Sequence, residues 1–211
     1  MQQTRWAIAV FAHNEADNIV ACLDSLAAAG LGPSDRVVVL ANGCRDATEA
    51  VVRAYAASHA NVELASIAFG DKSNAWNRFV HEYAGLAETY IFLDGDCLAG
   101  PKALPALAMT LAADPRAHAA AALPTTGRHG AATRVRMVEG RDLAGNLYAL
   151  SADFVTRLRA GGVRLPVGII GEDSLVGALV KWDLAPGRWQ EERVVPVPEA
   201  GFAFRSLNPR S

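Results

Sequence analysis

The strongest constraint on this chain is a rhythm of short apolar runs, each followed by a pattern of helical period. Residues 7–12 (AIAVFA) are continuously apolar and of strand length, as suits a strand buried on both faces of a parallel sheet. Asn14-Glu15-Ala16-Asp17 then reads as a helix start, with Asn14 as cap and Asp17 three residues on. Ile19, Cys22, Leu23 and Leu26 follow at helical spacing, and Gly30 stops the helix. The unit recurs in kind. Residues 36–40 (RVVVL) form a second strand, Asn42-Gly43 a turn, and Asp46 caps a helix in which Glu49 completes a capping box. Val51, Val52 and Tyr55 supply that helix with an inner face. A third strand at 62–67 (VELASI) precedes a helix at 72–83, with Trp76, Phe79, Val80 and Tyr83 on one side. A fourth strand at 90–93 (YIFL) precedes a helix at 101–113, with Leu104, Leu107 and Leu111 inward and Pro105 blurring its start.

Alternating strands and helices imply right-handed crossovers. The expected fold is α/β, with a mainly parallel central sheet and helices on both faces. Ligands in such sheets bind beyond the carboxyl ends of the strands. That rim collects Asn14 and Glu15 after strand one, Asn42 after strand two, and Asp94 and Asp96 after strand four. After about residue 117 the rhythm changes to a small apolar strand and then a loop rich in Thr, Gly and Arg. Residues 140–150 and 153–159 read as a strand or loop followed by a helix, broken at Gly161-Gly162. Gly171-Glu172-Asp173 opens a helix striped with Leu175, Val176, Leu179 and Val180. Residues 193–198 (RVVPVP) are extended, and their prolines confine them to a sheet edge. With neither repeat nor long linker, residues 1–211 are expected to form one domain, in two halves at 1–116 and 117–211.

The chain's 211 residues, 51% of them hydrophobic, suffice for one sizeable core, and a net charge of −2 gives no basic excess for a nucleic-acid partner. Cys22, Cys44 and Cys97 are widely spaced with no CxxC pair. They read as reduced thiols of a cytoplasmic protein rather than a disulfide framework or zinc site. No apolar run approaches bilayer length, and MQQTRWAIAVFAHNE is no secretory signal. GFAFRSLNPRS breaks off just after sequence that looks structured. A missing membrane-proximal tail, and peripheral association through it, is an expectation from that ending.

The chemistry concentrates at residues 91–97 (IFLDGDC), where a buried strand ends in two aspartates. Two carboxylates at i and i+2 repel if buried and unpaired. A divalent cation relieves that cost, and hard oxygen ligands suit Mg²⁺ or Mn²⁺. Gly95 lets the backbone turn sharply so that both side chains can serve one site. Magnesium usually takes one or two protein carboxylates and completes its shell with water and phosphates, so the motif fits a bound nucleoside diphosphate. The plainer reading is a turn with Asp at a helix N-terminus.

Six segments, in order from about residue 7 to residue 200, resemble the family 2 glycosyltransferases of GT-A fold. AIAVFAHNE is similar to the first-strand motif, NGCRDAT to the D-G-S-x-D-x-T turn, and GDKSNAWN to the G-K-x-x-A-x-N segment. LDGDC resembles the D-x-D element, GNLYALSADFV the acceptor-side segment, and GEDSL, followed by VPVPEA, the E-D motif. The resemblance implies an inverting, metal-dependent enzyme moving one sugar from a nucleotide-diphosphate sugar to a hydroxyl of a saccharide, lipid or small metabolite. It implies donor binding by Asn14, Glu15, Asn42, Lys72, Asp94 and Asp96. Asp96 would ligate the metal with Asp94, which would also touch ribose or sugar. Asp173 would be the general base, and Glu172 and Gly145 would lie on the acceptor side. The halves 1–116 and 117–211 would serve donor and acceptor respectively. Asn42 stands where the family often has an aspartate, so UDP is favoured but GDP and dTDP stay open, and Asp71 is inserted between Gly70 and Lys72.

Plainer readings stand beside these. Acidic residues such as Glu172-Asp173 favour a helix N-terminus for structural reasons alone. Arg128, His129, Arg134 and Arg136 are either a solvated loop or a basic lid over the diphosphate. Arg188-Trp189 lacks the glutamine of a Q-x-x-R-W signature, because position 185 is Ala185, which argues against a processive polymerase. The alternatives are a nucleotidyltransferase, disfavoured by a first loop (FAHNEADN) without glycine, and a non-catalytic nucleotide-sugar-binding module.

Overall fold

The structure, a computed structural model, describes residues 4–126 and 130–204. The chain runs β1 (Thr4–Ala12), α1 (Ile19–Ala28), β2 (Arg36–Asn42), α2 (Thr48–Ala56), β3 (Val62–Ile67) and α3 (Lys72–Arg78). A π-helical turn at Phe79–Tyr83 extends α3. Next come β4 (Ala87–Asp94), β5 (Cys97–Ala99), α4 (Ala103–Ala113), β6 (Ala119–Pro124) and α5 (Gly130–Gly140). The last elements are β7 (Leu147–Ser151), α6 (Ala152–Ala160), α7 (Glu172–Lys181), a 3₁₀ turn at Glu191–Arg193, and β8 (Val194–Phe204).

All eight strands join one sheet in the order β3-β2-β1-β4-β7-β6-β8-β5. The expected parallel block is present: β1 pairs in parallel with β2 and β4, and β2 with β3. β6 and β8 are also parallel, whereas β7 and β5 run against their neighbours. The sheet is therefore mostly parallel and mixed at its second half.

Side-chain alternation on β1 shows why helices cover both faces. Trp6, Ile8, Val10 and Ala12 enter one core with Cys22 and Leu26 of α1 and Leu104 and Leu107 of α4. Ala7, Ala9 and Phe11 enter the other with Trp76 of α3, Phe154 of α6 and Val176 of α7. A strand buried on both faces has no polar side to offer water, which is why AIAVFA is continuously apolar. The second core contains a polar pair, in which Trp76 Nε1 donates to the Tyr148 hydroxyl at 2.9 Å. Phe92 stacks on Tyr148 beside it, with ring centroids 4.7 Å apart.

Several local expectations need correction. Asn14 is not a helix cap: α1 begins at Ile19, and Asn14 takes a left-handed backbone with φ 57°. Asp46 accepts from both the N–H and the hydroxyl of Thr48, but it precedes the capping position, held by Ala47. Glu49 turns away to Arg53 and Ser66, so the capping box does not form. The loop expected after β6 is largely helical. Its residues 130–140 form α5, in which Met137 is buried while Val135 and Val138 are exposed, so no apolar stripe announces it. Arg128 and His129 lie outside the described residues, as does the end of the chain beyond residue 204.

The prolines of β8 lie where the strand is locally an edge. β5 pairs only with residues 202–204, leaving Pro196 with β6 on one side alone and Pro198 outside the pairing altogether. The register jumps from Ala122↔Val197 to Leu123↔Gly201, so residues 198–200 bulge out.

Two glycines bring loops of the rim into close contact. A Cβ on Gly95 would meet the Phe11 carbonyl at 2.9 Å, the same oxygen that accepts the Gly95 N–H at 2.8 Å. A Cβ on Gly43 would lie 2.5 Å from the Gly70 Cα, and Gly43 has φ 63°. Both strain and overlap therefore oppose a side chain there. Gly43→Ala should lower unfolding free energy by roughly 1–3 kcal/mol in urea titration, and an unchanged midpoint would refute this close approach.

Candidate active site

The parallel block delivers its strand ends to one rim. Phe11 is opposite Asp94 and Ala12 opposite Ala41, so the loops after β1, β2 and β4 emerge side by side. The left-handed turn at Asn14 lets its side-chain oxygen accept the Arg45 N–H at 2.8 Å. Its amide nitrogen lies 3.1 Å from His13 Nε2, and His13 Nδ1 lies 2.7 Å from the Asn42 carbonyl. Asn42 is buried, and its side-chain NH₂ donates to the carbonyls of Ala12 at 3.0 Å and Leu40 at 3.4 Å. Those bonds use its donors to join β1 to β2.

Glu15 is anchored at both ends of the residue. Its backbone N–H donates to Thr48 Oγ1 at 2.7 Å, and its carboxylate accepts from Asn18 at 2.7 Å. Burial raises its pKa, with the charges of Asp96 and Asp46 acting in the same sense.

The centre of the rim is Lys72, at the first turn of α3. Its ammonium lies 2.6 Å from Asp94 Oδ1 and 2.9 Å from Glu172 Oε1. One cation thus ties α3, the end of β4 and the start of α7. Asp71, the insertion next to it, has a job in the same place: Oδ1 caps α3 through the Asn74 N–H at 2.6 Å. Its Oδ2 accepts the Gly168 N–H at 2.8 Å and so tethers the segment leading to α7.

Asp94 carries a second bond, from Asn146 Nδ2 to Oδ2 at 3.2 Å. Burial pushes its pKa up from 3.8 to about 6, because desolvation outweighs the opposing pull of Lys72, and Asp96 and Glu172 add to the rise. Gly145 occupies the gap between these groups. Its N–H donates to Asp173 Oδ2 at 3.0 Å, and a Cβ there would meet Lys72 Nζ at 3.1 Å and Glu172 Oε1 at 3.4 Å. Asp173 Oδ1 also accepts the Ser174 N–H at 2.9 Å, which orients the carboxylate of a residue that lines a cavity of about 370 Å³. The π-face of Phe11 lies 5.6 Å from the ammonium.

Lys72, Asp94, Gly145, Glu172 and Asp173 are therefore brought together, with Asp96 within electrostatic reach of Asp94, and Glu15 within reach of Asp96 but not joined to the cluster itself. Asn14 and Asn42 belong to the neighbouring loop junction. His13 is the local hydrogen-bonding residue expected of it rather than a catalyst, whereas Asn146, Asn18 and Thr48 were not anticipated. Asn146 had a signal in its position beside Gly145, whereas the others act through loop packing that no spacing reveals.

The acidic rim suits a divalent cation in a particular way. Among the described residues no three metal-ligating side chains converge. Asp94 is committed to Lys72 and Asn146, while Asp96 accepts, among the described residues, a thiol hydrogen bond from Cys97 at 3.4 Å and no other side-chain bond. The donor set is all oxygen and has open positions, which fits an ion completed by water and phosphate oxygens.

The raised pKa of Asp94 has a stability consequence. A carboxyl whose folded pKa exceeds its unfolded value binds its proton more tightly in the native state. Its ionisation therefore costs stability as pH rises from 3.8 through about 6, and the cost vanishes below that window. Asp94→Asn mimics the protonated form. The stability difference, variant minus native, should rise between pH 4 and pH 7 in denaturant titrations without ligand; a flat difference would contradict the assigned burial.

With this geometry in hand, the chain can be set against known proteins. Among curated proteins no sequence matches it. The fold is similar to a mannosyltransferase, PcManGT, from Pyrobaculum calidifontis, solved with GDP-Man and Mn²⁺. That match has a TM-score of 0.76 at 19% identity and covers 100% of this chain and 59% of that one. It is also similar to S. aureus TarS 1-349 with UDP-GlcNAc, at a TM-score of 0.69 and 14% identity over 97% of this chain and 60% of that one. Glucosyl-3-phosphoglycerate synthase from Mycobacterium tuberculosis, solved with Mn²⁺, UDP-Glc and phosphoglyceric acid, gives a TM-score of 0.66 at 21% identity, covering 97% of this chain and 72% of that one. The chain thus spans only about three fifths of the first two. The profile described as Glycosyl transferase family 2 matches residues 7–156. That is well over half of the chain, and the chain belongs to that family.

Proposed function

We propose that this chain transfers a single sugar from a nucleoside-diphosphate sugar to a hydroxyl acceptor, with inversion at the anomeric carbon. The observation that carries the reading is the Lys72 ammonium bridging Asp94 and Glu172, with Asp173 one residue further along α7. Family membership supports it. Residues 1–116 would bind the donor and residues 117–211 the acceptor.

Each side chain then has a defined task. Glu15 and Asn42, at the ends of β1 and β2, would face the nucleoside, and Asn14 would hold the loop that positions them. Lys72 spends two of its three N–H donors on carboxylates, leaving one for a donor phosphate. Asp94 would accept from a sugar or ribose hydroxyl. Asp96, with Asp94 beside it, would hold Mg²⁺ or Mn²⁺, which when bound supplies charge neutralisation at the departing diphosphate. Glu172 and Gly145 would shape the acceptor side.

In the reaction, the acceptor oxygen forms a bond to the anomeric carbon while its proton passes to Asp173. The anomeric carbon–oxygen bond to the diphosphate breaks, and the nucleoside diphosphate leaves with the electron pair. The two backbone bonds to Asp173 hold the base in place for this step. A single base with attack opposite the leaving group is the arrangement for one displacement.

Similar proteins bind GDP-Man, UDP-GlcNAc and UDP-Glc, so UDP and GDP both suit the fold, and dTDP is a third candidate. Cys22, Cys44 and Cys97 are all free, in keeping with a reducing, cytoplasmic setting. No described helix is long and apolar enough to cross a membrane.

Thermal shift with UDP, GDP and dTDP, each with and without Mn²⁺, tests the donor assignment. A ligand at a hundred times its Kd should add about 2.7 kcal/mol to native stability. Asp96→Ala should abolish the metal-dependent part of that shift. Asp173→Asn should keep the shift but slow transfer at least roughly 100-fold; transfer at the native rate would remove Asp173 from the base position.

A further inference from the structure

The cavity that Asp173 helps to line lies between α5 and α7 and has a volume of about 370 Å³. Three cations line it: Arg136, Arg141 and Lys181. Their surroundings differ. Lys181 is buried and fully engaged, bonded to the Gly140 carbonyl at 2.8 Å and paired with Glu191 at 2.6 Å and Asp142 at 3.6 Å. The arginines have no comparable partner. Arg141 reaches only the Val194 carbonyl, at 3.4 Å, and Arg136 has no bonded partner among the described residues. Glu191 is within electrostatic range of Arg141, yet its oxygens are bonded to Lys181 and to Trp189 Nε1.

The backbone at Arg141 adds a second observation. The Asp142 N–H donates to the Met137 carbonyl at 3.1 Å, closing α5 with a turn whose left-handed residue is usually glycine. Here that residue is Arg141, at φ 46°, and the glycine stands one position earlier at 140. Non-glycine residues in this conformation are strained and tend to cluster at functional sites, although Lys102, Asp183 and Leu184 share it here. In this case it puts a guanidinium on the wall of a cavity that shares the proposed base.

We propose that the acceptor is a small anionic alcohol, whose phosphate or carboxylate is gripped by Arg136 and Arg141 while its hydroxyl is presented to Asp173. Guanidinium groups match both anions through paired N–H donors, so the site reads charge and planarity rather than one particular acid. Leu143, Met137 and the half-exposed indole of Trp189 supply apolar wall that takes the carbon skeleton. This assignment rests on the glycosyl-transfer reading for its chemistry, but the anion site itself is testable without a sugar donor.

Trp189 provides the readout. Glycerol 3-phosphate, glycerate and glycerol are titrated separately into the full chain with no donor present, and tryptophan fluorescence is followed. Trp189→Phe identifies the responding indole. A saturable change with glycerol 3-phosphate, glycerate or both is expected, none with glycerol, and comparison of the two acids tells phosphate from carboxylate recognition. Arg141→Gly relieves the left-handed residue, so Tm should hold or rise while anion affinity falls at least tenfold. Arg136→Gln, on the exposed side of α5, should weaken binding similarly and serves if the first variant does not fold. Equal binding of glycerol, affinity unchanged in both arginine variants, or no saturable change with either acid would overturn the proposal. Loss of nucleotide-induced thermal shifts with anion binding intact would instead strike the donor reading alone.

Discussion

The site depends on a single ammonium group. Lys72 stands between two carboxylates from segments that are 78 residues apart in the chain, Asp94 and Glu172, at 2.6 and 2.9 Å. All three side chains are largely withdrawn from water, with 30%, 19% and 14% of their surfaces exposed. In such surroundings an ion pair is held firmly, and an uncompensated carboxylate is costly. The raised pKa of Asp94 shows that the compensation is incomplete. The rim holds more negative charge than Lys72 alone balances, which suits a site that accepts further positive charge together with a phosphate-bearing ligand.

Around that group the fold sets distances through backbone contacts. Gly95 turns against the Phe11 carbonyl, and Gly43 against Gly70, so the ends of the first and fourth strands, and the loops after the second and third, lie closer than side chains would permit. Gly145 performs the same service between Lys72, Glu172 and Asp173. Asp71 ties the segment before α7 to the N-terminus of α3, which links the position of Asp173 to the element bearing Lys72. The two proposed halves of the site are therefore mechanically continuous.

The first half of the molecule was legible because its periodicities are strong. Runs such as AIAVFA and RVVVL admit a doubly buried strand and little else, and the stripe Ile19, Cys22, Leu23, Leu26 is the buried face of α1. α5 was missed because its contact with the body of the protein runs through Met137, with Val135 and Val138 left exposed, so its helical period is masked. The caps were misplaced for a related reason. Asn14, Asp46 and Glu49 have the right residue types and spacing, but their side chains bond across loops to Arg45, Ala16 and Ser66. Of the candidate site residues, the Asp94–Gly95–Asp96 turn could be read locally, whereas family resemblance implied only separate roles for Gly145 and Asp173, and the bond between them came with the fold.

By itself the sequence determined the alternation of strands and helices, the polar rim at the strand ends and the acidic turn after β4. Each of these follows from local periodicity or from the backbone freedom of a glycine, which act over a few residues. Only the tertiary structure decided which acids share Lys72, that Asn42 spends its donors on strand carbonyls, and that Arg136 and Arg141 line a cavity together with Asp173. Hydrogen bonds, ion pairs and desolvation depend on distances of a few ångströms between segments far apart in the chain, and those distances exist only once the two cores have packed the helices against the sheet.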